Sequence, residues 1–178
     1  RVVELRLPNM GLGGAVPAVI GQLTALTYLN LSGNQLTSVP TEIGQLTSLR
    51  LPGLQANQLK SVPAGIWRFT SLESLGLGGN KLTSVPAEIW QLTSLEQLEL
   101  SLNQLTSLPA EIGQLTSLTV LGLEANQLTS VPAEIGQLTS LKVLYLYGNR
   151  LTSVSAALRG LRAAGCRVHL DDDVTVDE

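Results

Sequence analysis

The sequence predicts an α/β solenoid, in which similar coils stack side by side and share one continuous core. A first observation is a period of 23 residues, because asparagine recurs at Asn34, Asn57, Asn80, Asn103, Asn126 and Asn149. A second is a proline with the same spacing, at Pro40, Pro63, Pro86, Pro109 and Pro132. A third is the alternation of leucine with other residues before each asparagine, which is typical of a half-buried strand. A fixed period of about 20 to 29 residues indicates stacked repeats.

Each copy has the same predicted elements, and residues 118–140 illustrate them. Leu121 and Leu123 alternate with outward positions, so stacking the copies places their strands side by side and parallel. We expect the asparagine after each strand to bond the turn backbone, because a buried carboxamide needs partners. These asparagines would form a ladder. The proline suits the first position of a short α- or 3₁₀-helix on the outer side.

The pattern L-x-x-L-x-L-x-x-N-x-L-x-x-V-P-x-x-I-x-x-L-x-x, over about residues 2–161, resembles the leucine-rich repeat family. The period and the V/L-P-x-x-I segment are most similar to plant intracellular Ras-group and animal Ras-scaffold repeats. The resemblance implies a curved right-handed horseshoe, with a parallel β-sheet on the concave face and short α/3₁₀ helices on the convex face. It implies little about function, because this family binds diverse partners.

The two ends of the predicted single domain, residues 1–178 with about seven repeats, differ from the middle. Residues 1–25 form an atypical N-terminal repeat, similar to the plant-specific variant L-x-G-x-I-P, with Met10 in the asparagine slot. Because a thioether donates no hydrogen bond, the ladder should start at Asn34. Residues 155–170 read as a C-terminal cap that closes the sheet edge. Residues 171–178 form an acidic tail that we expect to fray.

Two interior irregularities each allow two interpretations. Pro52 occupies a slot that holds inward leucine in other copies, which predicts a weakened or bent strand. We favour the interpretation that Pro52 is a neutral substitution, tolerated because each repeat contacts only its neighbours, over the interpretation that it introduces a kink that shapes a binding face.

Trp67 and Trp90 replace the helix glycine on the outer side, one period apart. We favour space-filling between helices over an exposed aromatic patch for self-association.

Composition excludes several classes of protein. The net charge of −3 argues against nucleic acid as a partner, and no apolar run reaches membrane-spanning length. The single Cys166 excludes an internal disulfide, and cysteine-rich caps are absent, which favours a reducing, cytoplasmic location. Because the sequence starts at Arg1, we expect an excised fragment or a processed chain from which a targeting segment could have been lost.

No constellation of residues predicts chemistry, so we expect no enzyme activity, no catalytic residues, no cofactor and no metal site. Cys166 and His169 should lie on opposite faces of the last strand, and one histidine with one cysteine cannot form a zinc site. The acidic tail lacks the spacing and glycine turn of a calcium loop.

The outward strand positions are the better candidate site, since the copies agree in the core and differ there. An acidic strip in the middle (Glu73, Glu96, Glu99, Glu124) predicts a protein partner with a basic patch. Tyr145 and Tyr147 form an aromatic end of this face. We expect them to contact a partner, because tyrosine often anchors interfaces. The middle of the concave face should be shallow, because glycines without side chains occupy outward positions there, at Gly53, Gly76 and Gly122. The predicted partner-binding residues on the concave face are Tyr28, Arg50, Glu73, Glu96, Glu99, Glu124, Lys142, Tyr145 and Tyr147.

The preferred function is therefore that of a non-enzymatic protein–protein interaction module, or scaffold. One alternative is a purely structural segment of a larger protein. Another is recognition of ice or another regular surface by two threonine ranks, although we expect these hydroxyls to satisfy the turn backbone. Their members are Thr37, Thr83, Thr106, Thr129 and Thr152 in one rank, and Thr47, Thr70, Thr93, Thr116 and Thr139 in the other.

Overall fold

The computed structural model describes residues 1–49 and 51–176, and of Leu51 and Pro52 it describes the backbone alone. Arg50 and residues 177–178 lie outside the described residues. In chain order the strands are β1 (Glu4–Arg6), β2 (Gly13–Ala15), β3 (Tyr28–Asn30), β4 (Gln35–Ser38), β5 (Leu51–Gly53), β6 (Ser74–Gly76), β7 (Gln97–Glu99), β8 (Val120–Gly122), β9 (Val143–Tyr145), β10 (Ser153–Val154), β11 (Arg167–His169) and β12 (Thr175–Val176).

One parallel sheet runs through the molecule in the order β1-β3-β5-β6-β7-β8-β9-β11. From β6 to β9 its register places the central leucine of each strand beside the one 23 residues later, so that Leu98 pairs with Leu121 and Leu121 with Leu144. All three side chains are buried. The predicted parallel solenoid with a leucine core is thereby confirmed, because no single coil could bury this apolar set alone.

Six five-residue 3₁₀-helices lie on the outer side of the described coils, which confirms the prediction of short helices. They are η1 (Ala18–Gln22), η2 (Thr41–Gln45), η3 (Ala64–Arg68), η4 (Ala87–Gln91), η5 (Ala110–Gln114) and η6 (Ala133–Gln137). The preceding proline lies one residue before the helix, in extended conformation, rather than at its first position. The isoleucine of each helix points into the core and is buried.

The asparagines form a ladder that ties each coil to the one before it. Asn103 accepts a hydrogen bond from Leu82 N at 3.0 Å and donates to Leu77 O and Leu100 O at 3.0 and 3.1 Å. The first member is Asn34, whose Oδ1 accepts from Met10 N at 3.0 Å. One side chain thus satisfies backbone groups of two coils in a buried turn.

The residue before each asparagine has a left-handed backbone. Gly33, Gly79 and Gly148 occupy this position in three coils, whereas Ala56, Leu102 and Ala125 occupy it in the others with φ of 53–54°. Glycine adopts this conformation without strain, but a side chain at Cβ makes it unfavourable. Leu102 is also 62% exposed, so no burial offsets its strain.

The strand with Pro52 is present but pairs unevenly. β5 pairs with β3 at three positions, whereas within the described residues it pairs with β6 only at Gly53 and Gly76. β7 and β8 pair at three positions. Because proline lacks an N–H, a reduced ladder at this strand is expected, and the prediction of a weakened strand agrees with the observed pairing.

The two tryptophans are buried, with Trp67 8% and Trp90 1% exposed, so the exposed aromatic patch for self-association is wrong. Their rings belong to the core and lie where the glycines of other coils let helices approach. Gly44 shows the contrast, because a Cβ added there would lie 2.8 Å from Gly65 Cα. Accordingly, η2 and η3 pack more closely than η3 with η4 or η4 with η5.

The C-terminal end is covered by α1 (Ala157–Ala163) and by β11, which pairs parallel with β9. Leu158, Leu161 and Cys166 are buried beneath this end. The acidic tail does not fray up to Val176, since β12 pairs with β10 and the Asp171 carboxylate accepts Gly148 N at 2.8 Å. The expectation of a frayed tail was wrong because the acidic run is followed by Thr175 and Val176, two residues that favour a strand and pair with β10.

Candidate functional site on the concave face

The exposed face of the main sheet is organised in rows, because the register places residues 23 or 24 positions apart in adjacent strands. One row passes through the last residues of four strands, where Glu99 pairs with Gly122, Gly122 with Tyr145, and Tyr145 with His169. The residue two positions after each strand continues the same face, as Glu124 and Tyr147 do. The surface therefore follows directly from the repeat.

Two glutamates of this face, Glu99 and Glu124, lie in neighbouring coils and influence each other electrostatically. The Glu99 carboxylate lies over Gly122, where an added Cβ would collide with it. Its Oε1 accepts a hydrogen bond from Ser101 N at 2.9 Å. Glu124 is half-buried, and its Oε2 is shielded from solvent without a hydrogen-bond partner. The missing side chain at Gly122 gives the Glu99 carboxylate its place on the face, from which its charge acts on Glu124.

The environment of Glu124 disfavours its charged form. Burial raises the pKa of this carboxyl above its ordinary value of 4.5, a backbone hydrogen bond opposes that shift, and the nearby charge of Glu99 adds to it. Removal from water and a like charge both penalise a carboxylate. This carboxylate pair, Glu99 and Glu124, is therefore a local concentration of negative potential that no cation of the described protein neutralises.

The other two glutamates of the predicted acidic strip lie elsewhere on the face. Glu73 and Glu96 precede β6 and β7, and both are exposed. Glu96 N donates to Glu73 O at 2.8 Å, so these two residues belong to neighbouring coils. They lie at the opposite end of the strands from the carboxylate pair. Lys142 occupies the equivalent position before β9 and is exposed.

Aromatic side chains form a cluster one coil beyond the carboxylate pair. The rings of Tyr145 and Tyr147 meet edge to face, with centroids 6.4 Å apart and planes at 87°. His169 stacks on Tyr145 at 4.9 Å and 18°. The sequence pattern did not single out His169 as a partner-binding residue, because its place beside Tyr145 follows from the pairing of β11 with β9.

Tyr28 does not join this cluster. Between β3 and β9 lie β5, β6, β7 and β8. Tyr28 instead contacts Arg6, whose guanidinium carbon is 4.4 Å from the ring centroid, and Arg6 also pairs with Glu4 at 3.0 Å. Arg50 lies outside the described residues, so its predicted role stays a prediction.

The described residues include no group of three or more histidine, cysteine, aspartate or glutamate side chains that could hold a metal ion. Cys166 is buried, which raises the pKa of its thiol, and it lies in the core while His169 is exposed on the sheet face. Within the described part of the chain, no helix has the length and apolar character to cross a membrane.

Comparison with known proteins identifies the repeats. A family model described as a leucine-rich repeat region matches residues 1–105, and a second, described as a leucine rich repeat, matches residues 116–163. A search of curated proteins gives no significant match.

Several solved structures are similar over almost the whole chain. A leucine-rich repeat protein of Leptospira interrogans is 39% identical with a TM-score of 0.88, over 97% of this chain and 43% of that protein. The ectodomain of the Arabidopsis thaliana receptor kinase GASSHO1/SCHENGEN3, in complex with CASPARIAN STRIP INTEGRITY FACTOR 2, is 28% identical with a TM-score of 0.79, over 99% and 24%. The plant peptide hormone receptor RGFR1, in complex with RGF2, is 30% identical with a TM-score of 0.74, over 98% and 32%.

These matched chains are all much longer than the 178 residues of this one, which spans less than half of each. The structural agreement covers at least 97% of this chain, and the family model alone matches more than half of it. The chain belongs to the leucine-rich repeat family.

Proposed function

We propose that this chain is a non-enzymatic protein-binding module whose concave face takes a partner segment rich in lysine and arginine. The residues in contact would be Glu73, Glu96, Glu99, Glu124, Lys142, Tyr145 and Tyr147, with Tyr28 and Arg50 towards the N-terminal side. The intracellular Ras-group repeat type suggested by the 23-residue pattern remains part of this proposal.

The observation that carries the proposal is the carboxylate pair beside the tyrosines. Glu124 keeps a solvent-shielded oxygen unpaired next to the Glu99 charge, although many residues would fit an outward sheet position. A cationic side chain placed there would neutralise both carboxylates, and the neighbouring Tyr145 and Tyr147 rings would add apolar and cation–π contact.

The similar plant receptors support the choice of a peptide-like partner. Two of them are described in complex with another molecule, CASPARIAN STRIP INTEGRITY FACTOR 2 and RGF2 respectively. An extended segment suits a long concave sheet because it can contact several coils at once.

A peptide-library selection tests the proposal. The chain would be immobilised and offered random displayed peptides, and enrichment of lysine and arginine would be compared between the native chain and the Glu96→Gln/Glu99→Gln/Glu124→Gln variant. We expect enrichment of basic residues on the native chain and its loss on the variant. Peptides that bind both proteins equally, or that show no basic bias, would contradict the proposal.

The outer helices supply a matched control. The variant Glu88→Gln/Glu111→Gln/Glu134→Gln removes the same number of negative charges from the first turns of η4, η5 and η6, on the other side of the molecule. It should keep the basic enrichment, which separates local recognition from the effect of net charge.

A second candidate function rests on the threonine ranks. All ten threonines of the two ranks are exposed, and none of their hydroxyls has a hydrogen-bond partner among the described residues. The expectation that they satisfy the turn backbone is wrong, because backbone groups and the asparagines already fill these turns. Hydroxyls spaced by one strand separation, about 4.8 Å, could match a regular surface such as ice.

Thermal hysteresis measures this second candidate directly. We expect the native chain to separate the freezing temperature of ice from its melting temperature. The variant Thr83→Val/Thr106→Val/Thr129→Val should reduce that difference. The absence of any gap in the native chain would remove the candidate without affecting the concave-face proposal.

The cytoplasmic location is also retained as a proposal, and its support is the single, buried Cys166, which has no disulfide partner. Fractionation of cells that produce the native protein, with the chain traced by antibody, tests it. Recovery from a secreted fraction would overturn it.

A further inference from the structure

Gly122 lies between a carboxylate and an aromatic ring on the concave face. It pairs with Glu99 of β7 on one side and with Tyr145 of β9 on the other, so the three residues form one row across the sheet. Both oxygens of the Glu99 carboxylate lie against the position that a Cβ of Gly122 would occupy. This carboxylate therefore lies low over β8, at the height of a β-carbon, whereas the ring of Tyr145 stands further from the sheet.

One face of the Tyr145 ring is directed towards the space above Gly122. His169 of β11 stacks on the other face, with ring centroids 4.9 Å apart and planes at 18°. Because β9 lies between β8 and β11, the face that His169 leaves uncovered is the one on the Gly122 side. Adjacent strands are about 4.8 Å apart, so a planar group above Gly122 would lie at stacking distance from the ring.

Glu124 and Tyr147 follow β8 and β9 and border the same space. Ala125 N donates to Tyr147 O at 2.9 Å, which keeps the two chain segments side by side. The Tyr147 ring is 87° from the plane of Tyr145, and Tyr147 is 44% exposed. Oε2 of Glu124 has no hydrogen-bond partner, and no ion pair within the described residues involves Glu99 or Glu124. The negative charge beside the rings is therefore unmatched.

The shape of this space and its partial burial favour a guanidinium over an ammonium. A guanidinium is planar and weakly hydrated, stacks on aromatic faces and presents paired N–H groups that match a carboxylate. Stacked on the uncovered face of Tyr145, it would place its edge on the Glu99 oxygens below. An ammonium is a compact, strongly hydrated charge, and it would lose water beside two half-buried residues without gaining the stack.

The other glycines of the same row lack this arrangement. Gly53 lies between Asn30 and Gly76, and the Asn30 carboxamide oxygen is 3.0 Å from the place of a Gly53 Cβ. A side chain thus leans over the glycine of the next coil there as well, but no ring stands on the far side. Within the described part of this row, only Gly122 has a carboxylate on one side and a tyrosine ring on the other.

We propose that Glu99, Gly122, Glu124, Tyr145 and Tyr147 form an arginine site, which takes the side chain of one arginine of the partner and binds lysine less tightly. The guanidinium stacks on Tyr145 and donates to the Glu99 carboxylate, while Glu124 and Tyr147 complete the negative and aromatic surroundings. This inference rests on the protein-binding function proposed above, and it adds which basic residue is recognised and where.

NMR titration of the isotope-labelled chain with N-acetyl-arginine amide and, separately, with N-acetyl-lysine amide tests the arginine site. We expect the amide resonances of Gly122 and Tyr145 to shift with both compounds. The dissociation constant of the arginine amide should be at least about threefold lower than that of the lysine amide. Equal constants, or arginine-induced shifts confined to other residues, would overturn the proposal.

Two substitutions separate stacking from net charge, and each has a matched control. Tyr145→Leu removes the ring but keeps an apolar side chain, so the preference for arginine should be lost, whereas Tyr28→Leu, four strands away, should keep it. Gly122→Ala displaces the Glu99 carboxylate and should also remove the preference, whereas Gly76→Ala in the same row should not. The amide spectrum of each variant reports its fold. A folded Tyr145→Leu variant that still prefers arginine would contradict the proposal.

The peptide-library selection separates this inference from the function on which it rests. Enrichment of arginine over lysine supports both. Equal enrichment of the two residues overturns the arginine site and leaves the protein-binding function standing, whereas the absence of any basic bias overturns both.

Discussion

At the scale of single residues, the coils act as internal controls for one another. Equivalent positions of the repeat hold different residues in otherwise similar surroundings. The effect of each residue on stability can therefore be compared within one chain. Leu102 stands where other coils have glycine, and Glu124 stands where Ser101 and Gly78 stand in neighbouring coils. Both are expected to lower stability, the first through backbone strain and the second through a desolvated charge.

Leu102→Gly should stabilise the protein by about 0.5–1 kcal/mol, because relief of the left-handed strain exceeds the entropic cost of glycine. Equilibrium urea denaturation measures the change. Leu102→Ala is the matched control, since it retains a Cβ at the same φ and should bring no comparable gain. Equal effects of the two substitutions would show that the exposed leucine side chain, rather than φ, is responsible.

Glu124→Gln should raise the free energy of unfolding at pH 7 by less than about 1 kcal/mol, because solvent still screens a half-exposed carboxylate. The folded state raises the pKa of Glu124, so its stabilising contribution is full below the unfolded value of 4.5 and is lost as pH rises through the folded value. The difference between variant and native chain should therefore vanish below that pH. A gain that does not depend on pH would argue against this cause.

Asn103→Ala should destabilise the protein by about 2–4 kcal/mol, because it leaves a buried N–H of Leu82 and buried carbonyls without partners. Asn149→Ala, at the half-buried end of the ladder, should cost less. Chemical denaturation of both variants measures the order. Equal costs would mean that burial does not set the strength of this ladder.

At the scale of elements, the strands and outer helices respond to local substitutions without loss of the repeat. β5 keeps its place in the sheet despite Pro52, and the helices spread where Trp67 and Trp90 replace glycine. Each coil contacts only its neighbours, so an irregular coil disturbs the adjacent pairing and not the whole stack.

Pro52→Leu should stabilise the protein by about 1 kcal/mol or more, because it restores an N–H to β5 and the leucine of the other copies. Thermal or chemical denaturation measures the gain, and amide exchange should slow in β6, the neighbouring strand. A loss of stability would indicate that the backbone of β5 is adapted to proline.

At the scale of the whole molecule, the two ends differ in how the core is closed. The C-terminal end is covered by α1 and β11, whereas the groove at the N-terminal end leaves Leu5 and Leu7 only partly buried. Stability in a solenoid is a sum over coils and their interfaces, so a coil covered on one side is the least protected.

Amide hydrogen exchange at low protein concentration should therefore be fastest in β1 and slowest in β7 and β8. Mass spectrometry of proteolytic fragments measures this gradient. Uniform exchange along the chain would contradict nearest-neighbour coupling.

The sequence by itself determined the stack, the parallel sheet, the short outer helices and the asparagine ladder, because a 23-residue period forces equivalent residues side by side. It also placed the acidic and aromatic residues on the sheet face. It favoured space-filling tryptophans, which the structure confirms. It could not show that Glu99 lies over Gly122 or that the four glutamates divide into two groups.

Those features were decided by the tertiary structure, because side-chain direction depends on the space left by the next coil. Gly122 gives Glu99 that space, His169 finds Tyr145 only once β11 pairs with β9, and residues 175–176 pair only because β10 presents a free edge. Periodicity fixes which residues are neighbours. The volume and charge of those neighbours fix what each side chain does.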